Sequence, residues 1–123
     1  LGNAFGQTNK KMNDSIIGIW AGRHITFEIT ENGANIEYDC ANGKISKKIV
    51  LDKNKKFNLI GEFTTEHGGP VRMDEQPNTI KAVYSGQISG KKLSLTVKRK
   101  DNNKLIGKFT LYYNREPYLT KCR

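Results

Sequence analysis

Apolar and polar side chains alternate with a period of two along most of the chain. In "GANIEYDC", Ala34, Ile36, Tyr38 and Cys40 alternate with Asn35, Glu37 and Asp39, the pattern of a strand with one buried face. "KFNLIGEFT" puts Phe57, Leu59, Gly61 and Phe63 on one side, and "TIKAVYSGQIS" does the same with Ile80, Ala82, Tyr84, Gly86 and Ile88. Leu93, Leu95 and Val97 follow in "KLSLTVK", then Leu105, Gly107, Phe109, Leu111 and Tyr113 in "KLIGKFTLYY". The opening run "GIWAGRHITFEIT" is irregular, because Ile25, Phe27 and Ile29 share a face while Trp20 has the opposite parity. A bulge at Gly22 is expected to reset the register there. "KISKKIVLD" reads as a poorer strand, interrupted by Lys47, and "YLTKC" ends the series. Turn residues at Glu31-Asn32-Gly33, Ala41-Asn42-Gly43, Asp52-Lys53-Asn54, Ser89-Gly90 and Asp101-Asn102-Asn103 separate the elements.

Sequential hairpins with apolar inner faces need their edges closed. They predict an all-β protein, an eight-stranded antiparallel up-and-down β-barrel, with a two-sheet sandwich as the alternative. Gly61, Gly86 and Gly107 fall on the inner face in mid-strand, where a small barrel needs sharp coiling or the close approach of a large side chain. Helix is limited to one short N-terminal turn in "NDSIIG", capped by Asp14 or Ser15. A chain of 123 residues fits one domain, with residues 18–123 as the barrel and 1–17 as an extension.

The short turn leading into Gly18-x-Trp20, together with "IGEF", "YSGQ" and "IGKF", resembles the calycins, the superfamily of lipocalins, fatty-acid-binding proteins and avidins. The resemblance implies an eight-stranded barrel that binds a small ligand, with Gly18 and Trp20 as structural residues and Arg115 as the counterpart of a late arginine that packs over the tryptophan. The chain departs from lipocalins in having no T-D-Y motif and no room for their C-terminal helix. With Trp20 as its only tryptophan, it also departs from the avidin biotin site. The combination of W-x-G-x-H, "DCANG", "EHGGPVR" and a late "KC" is more similar to small secreted bacterial proteins of uncharacterised function, a likeness that implies no activity.

Charge narrows the ligand class. The chain has 21 Lys plus Arg against 12 Asp plus Glu, a formal net of +9, which favours anionic partners. The lysines come in short clusters near turns and strand ends, as solvated strand ends also would. Ala4 and Gly6 fit the small-x-small pattern of a signal cleavage site, so Leu1 to Gly6 is read as a signal remnant and Gln7 as the mature start. Secretion or a periplasmic location would permit a Cys40–Cys122 disulfide, because both cysteines end strands on the inward parity. No apolar run reaches the roughly 18 residues of a membrane-spanning helix.

Candidate chemistry centres on "EHGGPVRMDEQPN", Glu66 to Asn78, which is longer than a hairpin connection requires. Glu66, His67 and Arg72, joined by Arg23 and His24, are the expected ligand-binding residues for an anionic or polar ligand at the barrel mouth, with His67 adding charge below about pH 6.5. His24 and His67 with a carboxylate could meet at a metal, but their spacing carries no ligand signature, and no metal or other cofactor is expected. The chain has no G-x-S-x-G, phosphate loop or paired-carboxylate signature, so the sequence leans away from an enzyme. Nucleic acid is disfavoured because most aromatics take the inward parity. The other functional reading is a protein–protein interaction module, such as an inhibitor of a secreted enzyme, which some bacterial periplasmic inhibitors resemble. A basic lysozyme would be a poor target for a +9 chain. An outward apolar set of Val50, Ile60, Val83, Ile106 and Tyr112 is the candidate surface for a partner or a homo-oligomer.

Overall fold

The structure, a computed structural model, describes residues 16–65 and 78–115. Its strands are β1 (Gly18–Gly22), β2 (Ile25–Thr30), β3 (Gly33–Tyr38), β4 (Ala41–Ile45), β5 (Lys56–Thr65), β6 (Asn78–Ser89), β7 (Lys92–Arg99) and β8 (Leu105–Tyr113). They form a closed barrel in chain order. Each strand is antiparallel to the next, and β1 returns to β8 through Trp20↔Tyr113, Ala21↔Tyr112 and Gly22↔Leu111. The up-and-down barrel read from the alternation is therefore the fold, and closure leaves no strand edge unpaired along the circuit. No helix occurs among the described residues.

Four segments differ from the sequence reading, each for a local reason. The opening run is a hairpin, not one bulged strand. Arg23 and His24 make a two-residue turn between the paired Gly22 and Ile25, with His24 at φ 67°. Trp20 pairs with Phe27 across that turn, so its parity reverses without any bulge. Next, "ANGKI" is strand β4 where a turn is predicted. Gly43 sits inward, where a side chain would collide with the Tyr84 hydroxyl. The segment 46–55 that follows is a connection, yet it buries Ile49 and Leu51 against the core, which explains the hydrophobic signal mistaken for a strand. Finally, β8 carries the irregularity. Val97 pairs with Gly107 but Lys98 pairs with Leu105, leaving Ile106 as the extra residue. Leu105 is consequently turned out, 49% exposed, and Ile106 packs on the core, the reverse of the expected parity. The expected last strand, "YLTKC", lies outside the described residues, as does the capped turn at Asp14 and Ser15.

The interior is filled. Phe27, Ile36, Tyr84, Leu93, Leu95 and Leu111 are fully buried. The inward glycines make room for rings: a Cβ on Gly86 would lie 2.5 Å from the Phe57 ring, and one on Gly107 2.7 Å from the Phe109 ring. Gly61 admits the Lys44 carbonyl and the edge of Tyr84. A narrow barrel thus spends its glycines on aromatic packing.

Candidate functional site at the barrel ends

The turns at 23–24, 39–40 and 100–104 gather at one end, called here the Tyr38 end. The turns at 31–32 and 90–91, the connection 46–55 and the entry to β1 gather at the other, the Trp20 end.

The sequence places the ligand site at the Tyr38 end. Arg23 is exposed there, and His24 holds its Nδ1 2.5 Å from the Asp39 carboxylate. That pairing turns His24 toward an anion the protein already supplies. Glu66, His67 and Arg72 lie outside the described residues. Thr65 pairs with Asn78, so the β5–β6 connection leaves and returns at the same end as Arg23 and His24. Aromatic rings close the interior on this side, with Tyr38 5.2 Å from Phe63 and 5.6 Å from Phe109, centroid to centroid. The Tyr84 hydroxyl donates to the Glu62 carbonyl at 2.6 Å. Burial pushes the Tyr84 phenol up to about 12, and pushes Tyr38 up further, with the neighbouring Tyr84 adding to the effect. Cys40, on the β3–β4 turn, carries no free thiol, and Cys122 lies outside the described residues. No cluster of three or more His, Cys, Asp and Glu suited to a metal occurs among the described residues.

The Trp20 end is built differently. Trp20 is 2% exposed, and its indole N–H donates to the Ile16 carbonyl at 2.9 Å. Tyr113 meets the indole edge-on at 5.0 Å, and its hydroxyl donates to the Ile17 carbonyl at 2.8 Å. A side chain on Gly18, which has φ 139°, would strike the Tyr113 ring. Gly18 and Trp20 thus belong to one closure in which Tyr113 is the third member. Arg115 does not fill the role the resemblance implies, since its guanidinium lies 4.3 Å over the Tyr112 ring.

Beside this closure is a cavity of about 290 Å³ lined by Trp20, Leu51, Ile88 and Tyr113, with Lys55 and Lys91 among its walls. Sequence reasoning missed both lysines because they look like solvated turn residues. Their positions come from two turns. Lys91 lies in the β6–β7 turn, where its carbonyl accepts from the Tyr113 N–H. Lys55 ends the Asp52 turn, whose carboxylate accepts from the backbone N–H groups of Asn54 and Lys56. Those bonds, the Lys56 one first, hold the Asp52 carboxyl below the usual carboxylate range. Lys55 itself has φ 61°, a left-handed conformation that glycine or asparagine adopts more readily. A larger groove of about 590 Å³ runs over the outer face beside Val50, Asn58, Ser85 and Gln87. It is more open than the end cavity, and much of its lining is the ordinary outward polar set of β5–β7.

Part of the remaining apolar surface lies along one row crossed by Lys98, while Ile19 and Val50 are exposed outside it. Ile60 pairs with Val83, Val83 with Lys98 and Lys98 with Leu105, and Ile60 and Leu105 are both about half exposed. Ile106 leaves the expected outward set and Leu105 enters it. In comparisons with protein-family models, curated proteins and solved structures, no match to this chain was found.

Proposed function

We propose that the protein is a calycin-like binding protein for a small anionic or polar ligand, acting without catalysis and working outside the cytoplasm, secreted or periplasmic. The observation that supports this reading is the cavity at the Trp20 end, an opening with an apolar floor beside the packed core. The binding end is then opposite the one to which the sequence assigns Arg23, His24, Glu66, His67 and Arg72. Lysines supply the anion preference there, and the net charge of +9 attracts anions to either end. A Cys40–Cys122 disulfide belongs to the same proposal, because export would allow it and the Cys40 thiol is not free.

Native mass spectrometry of protein purified without denaturation tests the binding function. A small bound species released by unfolding is the expected result, and protein that stays at its bare mass after exposure to a library of small organic anions contradicts it. Thiol titration of the unfolded, unreduced chain tests the bridge, with no reactive thiol expected. The row of exposed Ile60, half-buried Val83 and exposed Leu105, crossed by Lys98, favours a second reading, a protein-interaction module. Sedimentation at high concentration separates self-association from a monomeric binder.

A further inference from the structure

We infer that the cavity at the Trp20 end takes an amphipathic monoanion, a carboxylate or similar headgroup on a short apolar body, with Lys55 and Lys91 as its headgroup contacts. This rests on the reading of that cavity as the ligand site and adds the chemistry of its occupant. Three observations converge on it. The floor is apolar, made by Trp20, Leu51, Ile88 and Tyr113, and its one indole N–H is already committed to the Ile16 carbonyl. A fully hydrated polar ligand would therefore find no donor on that surface.

Among the described residues, the charged groups on the walls, Lys55 and Lys91, are both cationic. Asp52 belongs to the same connection as Lys55 and could have neutralised it, but its Oδ1 is turned onto the N–H groups of Asn54 and Lys56. Lysine stems can also cover apolar surface while their ammonium groups stay at the water boundary, which suits a ligand with one wet end and one dry end.

The third observation is the backbone at Lys55. A lysine at φ 61° costs on the order of 1 kcal/mol relative to a residue suited to that conformation. Gly90 occupies a similar conformation, φ 61°, in the neighbouring turn without any such cost. Stability alone would favour glycine or asparagine at position 55, and a headgroup contact gives the lysine a use. The volume, about 290 Å³, equals the liquid share of about ten water molecules, enough for a body of several carbons and too small for a long-chain lipid.

Trp20 is the only tryptophan and lines the cavity, so its fluorescence reports occupancy directly. Titrations with octanoate, octan-1-ol and acetate at low ionic strength divide the possibilities. Octanoate should give a saturable change, octan-1-ol should bind about five- to tenfold more weakly, and acetate should give no change at comparable concentration. Lys55→Gly, which relieves the strained backbone, should melt no lower than the parent yet lose most of the preference for octanoate over the alcohol. Lys91→Gln should lose part of it. Equal affinity for octanoate and octan-1-ol, unaffected by either substitution, would keep the cavity as a binding site and overturn the headgroup assignment. An acetate response equal to that of octanoate would remove the apolar body. No response to any of the three overturns both the assignment and the ligand site on which it rests.

Discussion

The two ends of the barrel solve the same closure problem with aromatic rings but differ in what lies beside them: the Trp20 end carries a cavity lined by described residues, and the connection at the Tyr38 end lies outside the described residues. At the Tyr38 end, Phe63 meets Tyr38 edge-on and Phe109 lies tilted against it, and the Tyr84 hydroxyl donates to the Glu62 carbonyl. At the Trp20 end, an indole and a phenol meet edge-on, and both polar groups are tied to the entry segment at Ile16 and Ile17. The connection 46–55 then folds Ile49 and Leu51 inward, and Leu51 becomes one wall of the cavity. Both ends tie their ring polar groups internally, and what sets the Trp20 end apart is an apolar wall with Lys55 and Lys91 beside it.

The largest expected effect comes from removing the centre of the Trp20 closure. Trp20→Ala should cost about 3–5 kcal/mol, read as a lower denaturation midpoint with an unchanged slope. Phe63→Ala at the opposite end, where the ring is partly exposed, should cost less. A reversed order would mean that the Tyr38 end carries more of the fold. Alkaline titration separates the ends by a different route. Burial raises the Tyr38 and Tyr84 phenols above their unfolded value near 10. Their neutral form therefore stabilises the fold fully below about pH 10, and that stability declines as pH rises toward about 12. The slope is about 1.4 kcal/mol per pH unit for each tyrosine that ionises only on unfolding. Phenolate absorbance should show these two groups titrating together with the loss of tertiary structure, and early titration in the folded protein would contradict their burial.

Much of this comparison could be read from the sequence. The alternation in β3, β5, β6 and β7 predicts the barrel, because each strand has one wet face and one dry face and the period reports which is which. Two strands were hidden for physical reasons. A two-residue turn with His24 in a left-handed conformation has no glycine at the critical position, so β1 and β2 read as one strand. The small inward residues Ala41 and Gly43 make β4 look like a turn. The bulge at Ile106 was equally silent, since a single extra residue reverses parity without any breaker residue to mark it. The Lys55–Lys91 juxtaposition depends on how two turns distant in sequence meet at one barrel end, which no local pattern encodes. Its one local trace is a lysine where the turn geometry suits glycine or asparagine.

Smaller effects sharpen the contrast. Tyr84→Phe should cost about 1–2 kcal/mol, because the Glu62 carbonyl loses its 2.6 Å donor inside the barrel wall. It should leave octanoate binding at the far end unchanged, and a parallel loss of binding would show the ends to be coupled. Lys55→Gly should shift the melting temperature upward or not at all, within about 1 kcal/mol. Asp52 gives the smallest signal. Its carboxyl is held below the usual range by the Lys56 and Asn54 N–H groups, so its contribution is present above about pH 4 and fades as pH falls below that value. Asp52→Asn should flatten that part of the pH–stability curve without moving the alkaline limb.

The most direct test is a two-dimensional amide NMR titration with octanoate, because it reads both ends in one experiment. The expected result is a set of shifts confined to Leu51, Lys55, Ile88, Gly90, Lys91 and the Trp20 indole N–H, with Arg23, His24 and Asp39 unmoved. Shifts clustered on Arg23, His24 and Asp39 instead would contradict this account and return the site to the end that the sequence first suggests.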